Sequence, residues 1–136
     1  MTPGQGEKAL DELQRADQAL RAARLLLGAD APEDATSRLY YAVFHAARAA
    51  LTVRGRYART HSGQITLFSE LTGPAPILGR LFTLRGYADY STERFRAPAD
   101  LGDLVEEAAA LVHRCRALVD EAREAGPDEP DPPPDY

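Results

Sequence analysis

The sequence has no tryptophan, a single cysteine and no long apolar run, and these absences exclude several classes of protein. One cysteine, Cys115, cannot form an internal disulfide, so a disulfide-stabilised secreted scaffold is excluded and a reducing setting is expected. No stretch approaches the roughly 20 apolar residues of a membrane-spanning helix, and the first residues lack the basic and apolar segments of a signal peptide. We therefore expect a cytoplasmic protein that does not enter a membrane.

Motifs that carry chemistry are also scarce. There is no CxxC, no HExxH and no P-loop, so zinc proteolysis and P-loop nucleotide hydrolysis have no support. The histidines His45, His61 and His113 lie far apart along the chain, and we expect neither a metal site nor a bound cofactor. The net charge of -5 gives no overall attraction for nucleic acid. Between residues 38 and 96, however, arginines outnumber acids, so any RNA contact is expected to be local.

Apolar residues recur every three to four positions through most of the chain, which predicts an all-α protein without strands. We expect one domain over residues 1–126, an up-and-down antiparallel bundle of four to five helices. The helices are predicted over residues 7–27, from a capping box at Asp30 and Glu33 to about Arg54, from Thr60 or Ser62 to Thr72, over residues 77–90, and from Asp100 to about Gly126. The acidic, proline-rich residues 127–136 are expected to be disordered.

The first predicted helix has a polar face as well as an apolar one. Apolar residues such as Leu10, Leu13 and Leu20 recur at helical spacing and are expected to face the core. The opposite face, which we expect to be solvated, carries Lys8, Glu12, Arg15, Asp17 and Arg21.

The second predicted helix is the most apolar and carries a single polar line. Two apolar stripes run beside each other, and their aromatic members Tyr40 and Phe44 are expected to be core residues, as is Cys115 in the last helix. Between the stripes, at steps of three and four, lie Arg38, Tyr41, His45, Arg48 and Thr52. This line is either the wall of a groove or a contact between subunits.

Arg38 and His45 are the members of this line that can do chemistry. An imidazole that titrates near neutrality can move a proton to or from a ribose hydroxyl or a leaving oxygen. A guanidinium can hold a phosphate through two hydrogen bonds and stabilise added negative charge. The pair therefore suffices for RNA cleavage without a metal. Alternatively it is structural, with His45 bonded in a dimer seam and Arg38 paired with Glu33 or Asp34.

Three blocks of sequence carry a resemblance to a known family. Residues 38–49 (RLYYAVFHAARA), 60–63 (THSG, in the following loop) and 84–90 (LRGYADY), in this order, resemble the HEPN family (higher eukaryotes and prokaryotes nucleotide-binding), in its small stand-alone prokaryotic branch. The resemblance covers about residues 7–125. It implies a bundle of four or five helices, usually a homodimer, often encoded beside a minimal nucleotidyltransferase in toxin-antitoxin or defence loci.

The resemblance also implies an activity and a site. Many members resemble metal-independent ribonucleases with an arginine, four to six residues and a histidine, a pattern that Arg38 and His45 satisfy. In the better-understood toxin branch this motif lies late in the bundle, and a tyrosine follows two residues after the histidine. Here the late block instead has Arg85, Asp89 and Tyr90, and an aspartate is a poor acid-base group at neutral pH. Tyr90, if it matches that tyrosine, would be the hydroxyl that a partner nucleotidyltransferase modifies. Alternatively, it is a tyrosine that packs against the bundle with its hydroxyl in water.

Three functions remain open at this point. The first is a metal-independent RNA endonuclease of a toxin-antitoxin or defence system, with Arg38 on the scissile phosphate, His45 as acid or base, and both subunits of a dimer contributing to one groove. The second is a non-catalytic HEPN module that binds a nucleotide or a partner nucleotidyltransferase. The third is a helical adaptor that docks through its acidic tail. The further binding residues that we expect are Tyr41, Arg48, His61, Arg85, Asp89 and Tyr90.

Overall fold

The computed structural model describes residues 1–90 and 96–134, with Tyr87 and Tyr90 described by their backbone alone. These residues form five helices and no strand: α1 Pro3–Gly28, α2 Pro32–Thr52, α3 His61–Thr72, α4 Pro76–Tyr90 and α5 Leu101–Ala125. The predicted all-α bundle is confirmed. In the described ranges no helix combines the length and the apolarity that a membrane span requires.

Helix α1 begins earlier than predicted because a capping box lies at its start. The hydroxyl of Thr2 accepts a hydrogen bond from the backbone N–H of Gln5, and the Gln5 side chain accepts one from the N–H of Thr2. These two bonds satisfy N–H groups that a helix start leaves without a partner. The helix ends at Gly28, where the sequence predicted its end.

The capping box predicted for α2 is wrong. The helix begins at Pro32, with Ala31 in the capping position and no side-chain cap. Asp30 instead adopts a left-handed backbone conformation, with φ of 58°, which aspartate tolerates better than most residues. Pro32 fits the first turn because its missing N–H would have no partner there. The tight turn of residues 29–31 therefore takes the place of a capping interaction.

Helix α3 begins within the predicted loop. Thr60 caps it as predicted, since its hydroxyl accepts the N–H of Gly63 at 2.9 Å. A Cβ on residue 63 would lie 2.8 Å from the Thr60 hydroxyl oxygen, so a larger residue there would require that hydroxyl to shift. His61 is consequently the first residue of a helix, and its placement in the loop was wrong.

Asp100 occupies the predicted position before α5 but does not cap the helix with its side chain. Its carboxylate accepts two hydrogen bonds from Arg80 of α4, both of 2.9 Å. This paired contact with a guanidinium competes with the capping bond for the same oxygens. The residue therefore links α4 to the start of α5.

Helix α2 lies at the centre of the bundle and packs against α1, α3, α4 and α5. Helix α1 also packs against α5, and in both of its contacts α1 runs antiparallel to its neighbour. Between α1 and α2 the direction follows from the short connection of residues 29–31 and the contact of Glu12 with His45. Between α1 and α5 it is shown by the ion pairs Asp17–Arg116 and Arg24–Glu106. The helix predicted to be the most apolar is thus the central helix of the fold.

Small side chains fill the contacts of α2. Ala42, Ala46 and Ala49 are fully buried, as are Tyr40 and Cys115 in the positions predicted for the core. Alanine allows neighbouring helix axes to approach closely, because little side-chain volume separates them. Burial raises the pKa of the Cys115 thiol to about 12, so the thiol stays protonated at neutral pH.

The described part of the acidic tail, up to residue 134, contacts the beginning of α1. The backbone N–H of Asp128 donates to the Met1 carbonyl at 3.1 Å, and a carboxylate oxygen of Asp131 accepts from the N–H of Gly4 at 2.8 Å. A carboxylate is favourable at the start of a helix, where N–H groups point outward. The disorder of residues 127–136 stays a prediction.

We predict that Ala46→Leu destabilises the bundle, because the larger side chain has no space between α2 and its neighbours. Forced insertion of this kind costs about 1–3 kcal/mol of unfolding free energy. Urea denaturation followed by circular dichroism measures the loss. Ala117→Leu, on the exposed face of α5, is the control and should change stability by less than about 0.5 kcal/mol. Equal midpoints for the two variants would contradict the packing described here.

Candidate functional site

An open cavity of about 490 Å³ lies between α1 and α2. Three predicted site residues, Arg38, Tyr41 and His45, line its α2 side. The α1 side is lined by Arg15, Gln18, Ala19 and Ala22. The polar line of α2 therefore forms one wall of a groove within the chain, and its role as a contact between subunits stays a prediction.

Glu12 of α1 is the residue that holds His45. It is 7% exposed, and one of its carboxylate oxygens lies 2.6 Å from Nδ1 of His45. The other oxygen lies 3.9 Å from a guanidinium nitrogen of Arg48. The prediction of a solvated face was therefore wrong at Glu12, which is buried in the contact between α1 and α2. A buried carboxylate is stable there because His45 and Arg48 replace the water that it loses.

The electrostatics of Glu12 determine what His45 can do. Burial by itself raises the pKa of this carboxyl group, but the hydrogen bond with His45 and the positive charges around it outweigh burial, so the pKa lies below its ordinary value of 4.5. Glu12 is therefore an anion at neutral pH and accepts a hydrogen bond from Nδ1–H of His45. This interaction fixes the tautomer of the neutral imidazole, in which Nε2 is the ring nitrogen that can accept a hydrogen bond.

Tyr41 connects the cavity to α4. Its hydroxyl accepts a hydrogen bond of 2.9 Å from Arg85, whose guanidinium carbon lies 5.1 Å from the centre of the tyrosine ring. Arg85 also forms an ion pair with Asp89, and Ser37 donates to the other oxygen of that carboxylate at 2.5 Å. The structure thus brings Arg85 and Asp89 together with Tyr41, where they attach α4 to α2.

His61 packs behind this region, against the aromatic core. Its ring stacks on Phe44, with 4.4 Å between ring centroids, and its Nδ1 lies 2.5 Å from the hydroxyl of Tyr40. Burial, together with the charges of Arg85 and Arg48, lowers the pKa of His61, whereas burial raises the pKa of Tyr40 to about 12. Tyr40 therefore keeps its proton and donates it to a neutral imidazole. The contacts of His61 in the structure are with the core of the bundle.

Two further predicted site residues are Arg48 of α2, which is not among the residues that line the cavity, and Tyr90, the last residue of α4. Arg48 lies next to His45 on the polar line, with its guanidinium carbon 4.7 Å from the centre of the Phe44 ring. The side chain of Tyr90 lies outside the described residues. Among the residues that are described, no three His, Cys, Asp or Glu side chains are grouped so that they could hold a metal ion.

Glu12 is the residue that sequence reasoning missed, although a signal was present. The buried side of α1 follows steps of three and four through Ala9, Glu12, Ala16, Ala19 and Ala23. A charged residue in the middle of an alanine stripe indicates a buried charge that needs a partner on the facing helix. The predicted apolar face included Ala16 and Ala23 of this stripe, but it also included Leu10, which is 37% exposed, and left Glu12 on the opposite face.

These observations define an all-α bundle whose central helix presents an arginine and a carboxylate-bound histidine to a cavity. The sequence model of the HEPN domain matches residues 9–124. The chain therefore belongs to the HEPN domain family.

Several curated relatives cover most of the chain. A protein named "putative toxin" from Methanocaldococcus jannaschii is 30% identical over 120 residues, which span 81% of this chain and 82% of that protein. A UPF0332 protein from Gloeobacter violaceus is 37% identical over 102 residues, 75% of each chain. A UPF0332 protein from Pyrococcus horikoshii is 38% identical over 76 residues, 56% of this chain and 50% of that one.

We predict that Glu12→Gln lowers stability at neutral pH by about 1–3 kcal/mol, because a charge-assisted hydrogen bond to His45 is weakened in a buried place. The folded-state pKa of Glu12 is lowered, so its contribution is present above the unfolded value near 4.5 and is lost as pH falls through the folded pKa. Urea denaturation between pH 3 and 7 should show wild type and Glu12→Gln converging in acid.

Glu7→Gln is the matched control, since Glu7 lies on the same helix and is exposed. This variant should follow wild type across the whole pH range. A constant difference between wild type and Glu12→Gln, from neutral pH into acid, would contradict the ionised state of Glu12.

Proposed function

We propose that this protein is a toxin component of the HEPN type that cleaves RNA without a metal ion, with Arg38 and His45 as its reactive residues. The observation that supports this proposal is their joint presence in one cavity, where the buried carboxylate of Glu12 orients His45. The relative named as a putative toxin supports the toxin class. The chain thus combines a positively charged phosphate contact with a group suited to proton transfer.

In the proposed reaction the ribose of the RNA supplies its own nucleophile. Nε2 of His45 accepts the proton of the 2′-hydroxyl, the oxygen attacks the adjacent phosphorus, and the bond to the 5′-oxygen of the next nucleotide breaks. The leaving oxygen takes a proton from an imidazolium or from water. Glu12 stabilises the imidazolium that forms, and Arg38 offsets the negative charge that builds up on the phosphate.

A second candidate function is favoured by the contacts of Asp89. This residue lies in the late block where the toxin branch has its histidine, and both of its carboxylate oxygens are engaged, one by Ser37 and one by Arg85. In this candidate the protein is a non-catalytic module that binds a nucleotide or a nucleotidyltransferase partner, to which Tyr90 would present its hydroxyl. In either case we propose a homodimer, on the strength of the family resemblance.

We predict that the full-length protein cleaves a mixed RNA pool in the presence of excess EDTA and leaves 2′,3′-cyclic phosphate ends. His45→Ala should reduce the rate by about 10²- to 10⁴-fold, the range that a positioned acid-base group contributes. Gel electrophoresis of end-labelled RNA measures the rate. Because His45→Ala also leaves Glu12 without its partner, His45→Asn, whose amide can still donate to Glu12, should be inactive as well.

The matched control is His113→Ala, which removes an exposed histidine of α5 away from the cavity and should cleave like wild type. Cleavage that persists in both His45 variants would exclude His45 as the acid-base group. Absence of cleavage by folded wild-type protein would favour the binding module.

A further inference from the structure

Two arginines of the cavity form no ion pair with the residues that the structure describes. Three guanidinium groups near the hairpin of α1 and α2 are paired with a carboxylate, those of Arg24, Arg48 and Arg85. Arg15 and Arg38, one on each wall of the cavity, form no ion pair within 4.0 Å and no hydrogen bond with any residue that the structure describes. Both cations are therefore available to a ligand.

The cavity is also free of negative charge along its lining. The seven lining residues include two arginines and a histidine but no aspartate or glutamate. The nearby carboxylate of Glu12 is directed to His45 and Arg48 instead. An anion that enters the cavity consequently meets positive charge on both walls.

The register of the hairpin sets the order of these groups along the cavity. The contact between Glu12 and His45 places those two residues at the same level, and the helices run antiparallel from there toward the loop. Arg15 is three residues from Glu12, about 4.5 Å along the helix axis, whereas Arg38 is seven residues from His45, about 10.5 Å along the axis. Arg15 therefore lies between His45 and Arg38.

Side-chain direction separates the two cations further. Side chains on a helix lean toward its N-terminus. For Arg15 this direction leads toward the end of the cavity that holds His45, while for Arg38 it leads away from His45 and toward the loop. These directions favour one cation at each end of the cavity, an arrangement that suits a ligand with two separated negative charges.

We propose that Arg15 is a second phosphate contact of this site, and that the cavity binds two consecutive phosphates of one RNA strand, one with Arg15 near His45 and the next with Arg38. The ligand class is then a single-stranded oligonucleotide, not a mononucleotide. This inference rests on the proposed function for the identity of the nucleic acid, but it concerns binding and does not depend on cleavage.

The test measures binding of a fluorescein-labelled oligouridylate to the full-length His45→Asn protein, which keeps a donor for Glu12, by fluorescence anisotropy between 50 and 200 mM salt. The logarithm of the binding constant falls linearly with the logarithm of the salt concentration. On a single strand, each lost phosphate contact makes this slope shallower by about 0.7. We expect Arg15→Ala and Arg38→Ala each to reduce the magnitude of the slope by about 0.7, and the double variant to reduce it by about 1.4. Arg21→Ala, an exposed arginine of α1 outside the cavity lining, is the matched control and should keep the full slope.

The outcomes separate this proposal from the proposed function. If Arg15→Ala keeps the full slope while wild-type protein still cleaves RNA, the second contact is wrong and the cleavage proposal stands. If uridine monophosphate binds as tightly as the oligonucleotide and both variants weaken it equally, the two arginines hold one phosphate, which overturns the two-phosphate arrangement. If the oligonucleotide does not bind, the proposal fails whether or not cleavage is seen.

Discussion

The burial of α2 by the four other helices is the constraint on which this structure depends. A helix packed on nearly all sides has one narrow strip left for polar side chains, and α2 places Arg38, Tyr41, His45 and Arg48 there. Each of these side chains then needs a partner or an opening to water. The cavity beside α1 supplies the opening, and Glu12 and Arg85 supply the partners. The candidate site therefore follows from how the central helix is packed.

Glu12 shows how a buried charge can be both tolerated and used. The alanines around it on α1 bring the two helices close, which removes water from the carboxylate and would be costly without a cation nearby. His45 and Arg48 face it from α2, so the same close approach that removes water strengthens their attraction. The histidine is thereby held in one orientation by a rigid element, which is what acid-base chemistry requires of its surroundings.

Much of the fold could be predicted from periodicity and capping residues, and much of the site could not. The polar line of α2, the cap at Thr60 and the burial of Tyr40 depend on local spacing, which a sequence displays directly. The partner of His45 depends on which side of α1 is buried, and there the alanine stripe competes with a more hydrophobic leucine pattern. The failed caps at Asp30 and Asp100 have a similar origin, because backbone turn geometry and a guanidinium on another helix outweighed a local preference. The spacing of residues along one helix does not show which side chain of another helix will lie opposite them.

The cavity belongs to a single helical hairpin, since its lining residues all come from α1 and α2 and only residues 29–31 separate the two helices. Closing so short a connection costs little chain entropy, and contacts at small sequence separation form early in folding. The walls of the site can therefore assemble as a local unit before α3, α4 and α5 complete the bundle. Sequence changes in the later helices then act on the cavity indirectly, through their packing on α1 and α2, the ion pairs of α5 with α1, and the link between Tyr41 and Arg85.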